Sequence, residues 1–145
     1  MDFRRLLLSD LDSCFANRLR ALQSAPSAFL TTYEEEKSRG NGLYVKSLTE
    51  QSPSNAIFGA VENGEVVGTI GIFRETRPKL AHKATIWGMF VDENQRGKGL
   101  GAKLVDLAVK HAREEMKVAG VYLSVESANG PAKTLYISKG FKTWG

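Results

Sequence analysis

Hydrophobic positions along the chain follow two spacings, the alternation typical of strands and the three-to-four-residue repeat typical of helices. Short apolar runs bounded by polar or glycine residues predict five strands, at residues 3–8, 56–62, 65–73, 85–91 and 121–125. A sixth, very short strand is predicted to begin at residue 141. Helical repeats predict five helices, at residues 10–24, 31–40, 44–51, 99–119 and 131–139.

Local signals set the ends of several elements. Asn63-Gly64 lies between two apolar runs and predicts a β-hairpin, because both residues accept the positive φ of a type I′ turn. Ser9 or Asp10 can cap the first helix. Thr31 and Thr32 are each followed three residues later by glutamate, a spacing that predicts a capping box at the start of the second helix.

The order of these elements predicts a mixed α/β fold in one domain spanning residues 1–145. An antiparallel hairpin comes first, and a strand–helix–strand–helix series follows it. The strands at 85–91 and 121–125 are joined by the long helix at 99–119. They should therefore lie parallel and be connected by a right-handed crossover.

The composition, 42% hydrophobic and 25% charged, is that of an ordinary globular domain. The longest apolar runs are only a few residues, so no membrane span is expected. No secretory signal follows Met1, and we expect a cytoplasmic protein with no membrane partner. Cys14 is the only cysteine, which excludes an internal disulfide and a cysteine-cluster metal site, and we expect an inert thiol and no metal.

The formal net charge of +4 is unevenly placed. Residues 1–80 carry 10 basic and 10 acidic side chains, whereas residues 81–145 carry 10 basic and 6 acidic ones. The excess therefore surrounds a glycine-rich segment, a pattern that suits a small polyanionic ligand. It is too small to indicate a nucleic-acid partner, which needs a concentrated basic stripe.

The segment from Arg96 to Gly101 leaves a buried strand, turns through glycines and opens the longest helix. Glycine lets the backbone approach a ligand, and the N–H groups of a first helical turn have no partner within the helix. Together with the helix dipole they favour a phosphate group, and Arg96 and Lys98 add positive charge. The plainer alternative is that these glycines only make a tight turn.

Two other phosphate-binding motifs do not fit this segment. A P-loop needs Gly-Lys followed by serine or threonine, whereas Gly97-Lys98 is followed by Gly99. A dinucleotide fingerprint needs Gly-x-Gly-x-x-Gly, whereas the spacing here is Gly97-x-Gly99-x-Gly101. Nucleoside triphosphate hydrolysis and dinucleotide binding are therefore disfavoured.

Residues 96–101, Arg-Gly-Lys-Gly-Leu-Gly, resemble the Arg/Gln-x-x-Gly-x-Gly/Ala motif of the GNAT superfamily of N-acetyltransferases. The preceding strand, residues 87–91, is similar to the strand ending in valine of that family. Residues 123–141 resemble its second block, with Asn, then Ala, then Leu-Tyr, then Gly-Phe. Residues 10–29 resemble bacterial members, so the resemblance covers nearly the whole chain.

The resemblance implies acetyl-CoA as cofactor, with coenzyme A as product and without a metal. The pyrophosphate would lie on the backbone N–H groups of a segment that starts at Arg96 or Gly97, continues through Lys98, Gly99 and Leu100, and ends at Gly101. The pantetheine arm would follow the main chain of Met89, Phe90 and Val91, where the parallel strands of the family splay apart. Asn129 corresponds to a position that contacts this arm, and Lys133 would lie near the phosphates.

Tyr136 matches the family tyrosine that faces the thioester sulfur, so it is both a cofactor contact and the candidate catalytic acid. A phenol with a pKa of about 10 can protonate a leaving thiolate whose conjugate acid has a pKa of about 8.5. The implied mechanism is direct attack of a neutral amine through a tetrahedral intermediate. A backbone N–H near Met89 and Phe90 would stabilise its oxyanion. Core packing is the alternative role for Tyr136.

The general base stays open between a water chain, His82 and Glu126, because the strand at 85–91 lacks the glutamate that many relatives carry. The resemblance implies an amine acceptor, a small molecule or a peptide, bound between residues 10–51 and 74–83. Glu34-Glu35-Glu36 could attract a cationic amine or could be a solvated helix start. A non-catalytic acyl-CoA-binding module is the alternative function.

The resemblance also predicts more strand after Gly140-Phe141 than the chain provides, so the C-terminal strands are expected to be shortened. One way to cover the resulting sheet edge is pairing with a second copy, which makes a homodimer a candidate assembly.

Overall fold

A computed structural model describes residues 1–24, 26, 31–124 and 130–142. The strands are β1 Asp2–Arg5, β2 Asn55–Glu62, β3 Glu65–Arg74, β4 Lys83–Val91 and β5 Gly120–Tyr122. The helices are α1 Leu11–Ser24, α2 Tyr33–Arg39, α3 Gly42–Glu50, α4 Leu100–His111 and α5 Gly130–Ser138. A π turn, Ala112–Met116, continues α4. Within the described ranges, no helix combines the length and the apolar character that crossing a membrane requires.

The five strands form one mixed sheet in the order β1-β2-β3-β4-β5. The first three pairings are antiparallel, and β5 joins β4 in parallel after the chain has passed through α4. Asn63 and Gly64 have φ angles of 52° and 80°, which confirms the type I′ turn predicted between β2 and β3. The predicted α/β class and hairpin are therefore confirmed.

Helices cover both faces of the sheet. On one face, side chains of α1 and α3 pack on β2 in a buried cluster that includes Cys14, Leu48 and Ile57. On the other, α4 and α5 pack on β3 and β4 around Ile70 and Leu104. Burial of each large aliphatic side chain stabilises the fold by about 1.5–3 kcal/mol. The thiol of Cys14 belongs to this core, and burial raises its pKa to about 12, as expected for an inert cysteine.

The start of α2 follows one of the two predicted capping schemes. The hydroxyl of Thr32 accepts a hydrogen bond from the backbone N–H of Glu35 at 3.1 Å, so Thr32 is the N-cap. The hydroxyl of Thr31 instead donates to the carboxylate of Glu36. Gly40, with a φ of 81°, ends the helix, at the last residue of the predicted range 31–40.

The first strand is shorter than the predicted 3–8. It ends at Arg5, and a single 3-10 turn, Leu8–Asp10, follows. Asp10 stabilises this turn. Its carboxylate accepts hydrogen bonds from the backbone N–H of Leu7 at 2.8 Å and from both terminal nitrogens of Arg4 at 2.8 and 2.9 Å. Asp10 therefore closes this turn, and its carboxylate is not free to cap α1 as the sequence suggested.

The long helix and the fifth strand also differ from their predicted bounds. The helical run predicted at 99–119 ends at Met116, and Lys117 follows with a φ of 54°. This reversal lets the N–H groups of Ala119 and Gly120 reach the carbonyl of His82 at 2.9 and 3.1 Å. β5 therefore starts at Gly120 and ends at Tyr122, while Val125 of the predicted 121–125 strand lies outside the described residues.

The predicted strand at residue 141 is not formed at Phe141 or Lys142. The backbone N–H of Phe141 donates to the carbonyl of Tyr136 at 3.1 Å, and Gly140, with a φ of 94°, donates to the carbonyl of Ile137 at 3.0 Å. These two bonds are the Schellman motif that ends a helix. They commit Phe141 to the end of α5, and residues 143–145 of the predicted strand lie outside the described part.

Candidate active site

The two edges of β4 are not equally paired. On one side, β3 pairs with β4 from Ala84 to Val91. On the other, the ladder to β5 covers only Lys83, Ala84 and Thr85. Within the described part of the chain, no strand pairs with the second edge of β4 beyond Thr85. The parallel strands are therefore splayed, as predicted, and the main chain of Met89, Phe90 and Val91 borders the gap.

A β-bulge at Gly88 shapes this gap. Trp87 pairs with Gly71 and Phe90 pairs with Thr69, so Gly88 and Met89 together oppose the single residue Ile70. Gly88 has a φ of 63°, a conformation that residues with a Cβ rarely adopt. The extra residue shifts the alternation of the strand by one position. In the sequence, the signal for this bulge is a glycine inside an aromatic and β-branched run.

Past the bulge, β4 runs through a 3-10 turn, Glu93–Gln95, into the glycine-rich turn. Gly97 and Gly99 have φ angles of 80° and 79°, are exposed, and have open space where a Cβ would lie. Gly99 is the N-cap of α4 and no side chain caps this helix. Within the described part of the chain, the backbone N–H groups of residues 97–102 have no hydrogen-bond acceptor. They are available to an anion.

Two exposed cations flank the turn. The guanidinium of Arg96 lies 5.4 Å from the ring centre of Phe90, and its Nε donates to the carbonyl of Val91 at 3.2 Å. The Nζ of Lys98 donates to Gln95 Oε1 at 3.2 Å. Both charges are thus tethered beside the turn, and their exposure leaves them accessible to a ligand.

Gly101 and Leu100 also have packing roles, which the motif alone did not distinguish from phosphate binding. A Cβ at Gly101 would lie 2.9 Å from Met89 Cε and 3.1 Å from Leu135 Cδ2. Glycine here therefore lets the start of α4 approach β4 and α5 closely. Leu100 is buried, 5% exposed, and packs with Ala60 and Val67.

Tyr136 lies on α5, 8% exposed, at the margin of the cluster between α4, α5 and the sheet. Its ring meets the ring of Phe141 edge-on, with centroids 5.8 Å apart. Burial raises the pKa of Tyr136 to about 12, so the phenol keeps its proton at neutral pH.

The remaining site candidates are placed as follows. Lys133 is half-buried on α5, one turn before Tyr136. Asn129 and Glu126 lie outside the described residues. His82 is exposed at the start of β4, and its carbonyl is bonded to the start of β5. It is therefore at the opposite end of the strand from Val91 and the glycine-rich turn.

The acidic run at the start of α2 does not present three free charges. The carboxylate of Glu36 is buried and accepts two hydrogen bonds from Arg18, at 3.0 and 2.8 Å, and one from Thr31. Burial by itself raises the pKa of Glu36, but these donors outweigh it and the net direction is downward. Only Glu34 and Glu35 are exposed and able to attract a cationic amine.

His111 is part of the core. Its Nε2 lies 2.7 Å from the carbonyl oxygen of Pro53, and its ring packs edge-on against Phe58. Among the described residues, no group of three or more His, Cys, Asp or Glu side chains is arranged to hold a metal ion.

The geometry fits a long cofactor with a diphosphate at one end. Unpaired N–H groups and two cations mark one end of the gap, unpaired β4 main chain lines it, and the phenol of Tyr136 lies on the helix packed against α4. A sequence profile of the acetyltransferase (GNAT) family matches residues 19–141.

Individual proteins agree with this match. An N-alpha-acetyltransferase from Sulfurisphaera tokodaii is 31% identical over 147 aligned residues, covering 96% of this chain and 78% of that protein. A GNAT acetyltransferase from Streptococcus pneumoniae shares the fold with a TM-score of 0.81 and 21% identity, over 99% of this chain and 85% of that one. An acetyltransferase from Clostridium acetobutylicum, solved with acetyl-CoA, has a TM-score of 0.73 and 20% sequence identity, over 99% of this chain and 90% of that one.

The profile match spans both motif blocks, and the splayed sheet supplies the geometry that those blocks require. The chain therefore belongs to the acetyltransferase (GNAT) family and is an acetyl-CoA-dependent N-acetyltransferase.

Proposed function

We propose that this enzyme moves the acetyl group of acetyl-CoA to a primary amine by direct attack, without a covalent enzyme intermediate. The observation that carries the proposal is the continuity of two features. Among the described residues, the β4 edge beyond Thr85 pairs with no strand, and it leads directly into a turn whose N–H groups are also unpaired. A thioester arm can lie against the first and a diphosphate against the second.

The residues that would hold acetyl-CoA follow from that continuity. The N–H groups of residues 97–101 suit the diphosphate, with Arg96 and Lys98 adding charge beside it. The main chain of Met89, Phe90 and Val91 suits the amides of the pantetheine arm, in the manner of an added strand. Asn129 and Lys133 complete the proposed set through their positions in the sequence motif. No side chain in this set acts as a nucleophile.

In the reaction we propose, the amine nitrogen bonds to the acetyl carbon, the carbon–sulfur bond breaks, the sulfur gains a proton and the nitrogen loses one. Tyr136 is the group we assign to the sulfur. Its raised pKa keeps it protonated, but full transfer to a thiolate of ordinary pKa is then uphill by about 3 pKa units, or about 4–5 kcal/mol. Its first contribution is therefore hydrogen-bond donation to the departing sulfur.

The bulge is our candidate for stabilising charge on the acetyl oxygen. Gly88 and Met89 have no direct partner in the β3 register, so the main chain there is released from the ladder. A backbone N–H aimed at a developing oxyanion is effective because it needs no reorganisation during the reaction. We assign this donor to the Met89–Phe90 segment. Because His82 is at the far end of β4, we assign the amine proton to a water chain or to Glu126.

The experiment has two stages. Coenzyme A is first titrated against the melting temperature, since a ligand that binds only the native state must raise it. Thiol release from acetyl-CoA is then followed with an amine panel: free amino acids, polyamines and short peptides with unblocked N-termini. Stabilisation and thiol release with at least one amine support the proposal. Stabilisation without release from any amine would leave a binding module and overturn the transfer step.

A variant of the turn connects the result to the site. Gly99→Val introduces a β-branched residue at a φ of 79°, and we expect the dissociation constant for coenzyme A to rise about thirtyfold. Gly64→Val is the control, because it places the same strain, at a φ of 80°, in the β2–β3 turn. Equal losses of affinity in the two variants would remove the turn from the proposed binding site.

A further inference from the structure

A chain of polar contacts runs from α1 to both ends of the proposed arm-binding segment. Asn17 on α1 is fully buried, 0% exposed. Its Nδ2 donates to Asp92 Oδ1 at 2.9 Å. Its Oδ1 accepts from the hydroxyl of Thr69 at 3.0 Å, and that hydroxyl also lies 3.3 Å from the carbonyl oxygen of Gly88. One amide thus connects the bulge with the residue that follows β4.

The two anchor points enclose the segment that matters for binding. Gly88 is the bulge itself, and Asp92 is the first residue after β4, on the way into the glycine-rich turn. Between them lie only Met89, Phe90 and Val91, the residues we assign to the pantetheine arm. Asn17 contacts one end directly and the other through Thr69, so it constrains the main chain between them. This is the part of β4 that has no second neighbouring strand among the residues the structure describes.

Asp92 is held from further directions. Arg20, one turn along α1 from Asn17, donates to Asp92 Oδ1 through Nε at 3.0 Å and lies 3.0 Å from Oδ2 through Nη2. The same Nη2 donates to the carbonyl of Val66 at 3.0 Å. The backbone N–H of Asp92 donates to the carbonyl of Val67 at 2.8 Å. Helix α1 and strand β3 therefore converge on the residue that leads into the turn.

Asparagine suits the central place because its amide donates to a carboxylate and accepts from a hydroxyl at once. Aspartate would lose the donor and set two carboxylates side by side, and an aliphatic residue would make neither bond. A buried polar group that is fully bonded specifies one geometry, whereas a partly bonded one is costly. Asn17 is buried, and both its amide nitrogen and its amide oxygen are hydrogen-bonded. These contacts indicate a role in geometry rather than in general packing.

We propose that Asn17, acting through Thr69 and Asp92, is a positioning residue that sets the spacing between the β4 bulge and the glycine-rich turn, and so the affinity for the coenzyme. The inference rests on the proposed function, because it takes its meaning from a cofactor arm that lies along Met89–Val91. Asn17 itself does not touch that arm. Its amide acts through the main chain that the cofactor contacts.

The test compares two variants of α1. Asn17→Leu removes both hydrogen bonds at similar volume, and we expect the dissociation constant for coenzyme A, measured by calorimetry, to rise about tenfold. Ser13→Ala is the matched control: its hydroxyl accepts a hydrogen bond from the backbone N–H of Val66 at 2.7 Å, so it also ties α1 to β3 but not to the bulge. Its affinity for coenzyme A should stay within twofold of the parent.

Thr69 supplies a second comparison if Asn17→Leu does not fold. Thr69→Val keeps the shape and loses the hydroxyl, whereas Thr69→Ser keeps the hydroxyl. We expect Thr69→Val to raise the KM for acetyl-CoA about fivefold with a smaller change in kcat. The KM of Thr69→Ser should lie close to that of the parent. A merely structural contact would lower the melting temperature and leave KM unchanged.

The outcomes separate this inference from the proposed function. If the parent protein does not bind coenzyme A, the proposed function fails and this inference fails with it. If the parent binds and Asn17→Leu or Thr69→Val binds equally well, only the inference is overturned. If Ser13→Ala weakens binding as much as Asn17→Leu, the effect belongs to the docking of α1 as a whole and the specific role of Asn17 is rejected.

Discussion

The two ends of β4 show how one strand can serve both the fold and the site. At the start of β4, both edges of the strand are paired. One edge of Lys83, Ala84 and Thr85 faces β3 or the residues that follow β3, and the other edge faces β5. At its end, Met89, Phe90 and Val91 have only β3 within the described part of the chain, and a bulge precedes them. The first end is closed by backbone hydrogen bonds, while the second leaves main-chain groups for a ligand.

This difference has an energetic side. Unpaired main-chain polar groups must be satisfied by water or by a ligand. The open end of β4 therefore needs further support. The structure supplies it through the hydrogen bonds of Asn17 and the Arg20–Asp92 ion pair. The start of α4 also packs so closely on Met89 that a Cβ at Gly101 would be crowded. The closed end needs no such support, since its ladder already holds it.

The largest effect is expected from Tyr136→Phe, which removes the phenol that we propose as the catalytic acid. We expect kcat to fall roughly a hundredfold, the lower range for loss of an acid catalyst, while the affinity for acetyl-CoA changes less than threefold. Initial rates and calorimetry measure the two quantities. Tyr44→Phe is the control, because Tyr44 is equally buried, and its pKa is raised by burial, on the other face of the sheet. Equal rates for Tyr136→Phe and the parent would contradict the assigned role.

A smaller effect is expected from Gly88→Ala, which strains the bulge. Its φ of 63° is unfavourable for alanine, although open space surrounds the position, and the strain costs about 1 kcal/mol of folding free energy. Gly64→Ala carries similar strain, with a φ of 80°, in the closed β2–β3 hairpin. We expect similar losses in urea unfolding, but only Gly88→Ala should raise the KM for acetyl-CoA, by about fivefold.

That comparison can fail in an informative way. If both glycine variants raise KM to the same extent, the bulge has no special part in binding and the effect reflects general destabilisation. If neither does so, the arm of the cofactor does not depend on the main chain at Gly88.

The smallest effect on coenzyme A binding is expected from Asp10→Asn, in the 3-10 turn that follows β1. The hydrogen bonds from Arg4 hold the pKa of Asp10 below its ordinary value of 3.8. The folded state therefore gains stability from this group above that pH and loses it as the pH falls through the lower folded-state pKa. We expect the variant to lose about 1–2 kcal/mol at pH 7, and urea unfolding should show the gap to the parent narrowing below about pH 4.

Coenzyme A affinity at pH 7 serves as the control for this variant. It should be unchanged within twofold, because the Asp10 carboxylate is bonded to Arg4 of β1 and to Leu7 in the turn after it rather than to the open end of β4. If the difference in unfolding free energy between the parent and Asp10→Asn stays constant down to pH 3, protonation of Asp10 is not coupled to folding and the prediction is contradicted.

Much of the fold was predictable because its signals are local. The Asn63-Gly64 turn, the capping threonine of α2 and the helical stripe of α4 each act over a few residues, so the sequence places them correctly. The errors lie where distant parts of the chain decide. β1 ends at Arg5 because the Asp10 carboxylate stabilises a turn in the residues that follow. Phe141 forms no strand because its backbone N–H is bonded to the last turn of α5.

The glycine-rich turn could be predicted as a candidate anion site, since glycine spacing and the start of a helix are both visible in the sequence. The bulge could not be placed, because it is defined by the register of β4 against β3. Asn17 was invisible for the same reason: nothing near it in the sequence indicates that its amide meets Thr69, 52 residues away, and Asp92, 75 residues away.

By itself, the sequence predicted five strands and five helices that form, a mixed sheet, and a helix start with free N–H groups at residues 96–101. These predictions succeed because backbone conformation responds to neighbours within a few positions. Only the tertiary structure decided that the ladder between β4 and β5 stops at Thr85, that Gly88 bulges, and that Asn17 joins the bulge to Asp92. These features depend on contacts between segments far apart in the chain, whose relative register no local pattern encodes.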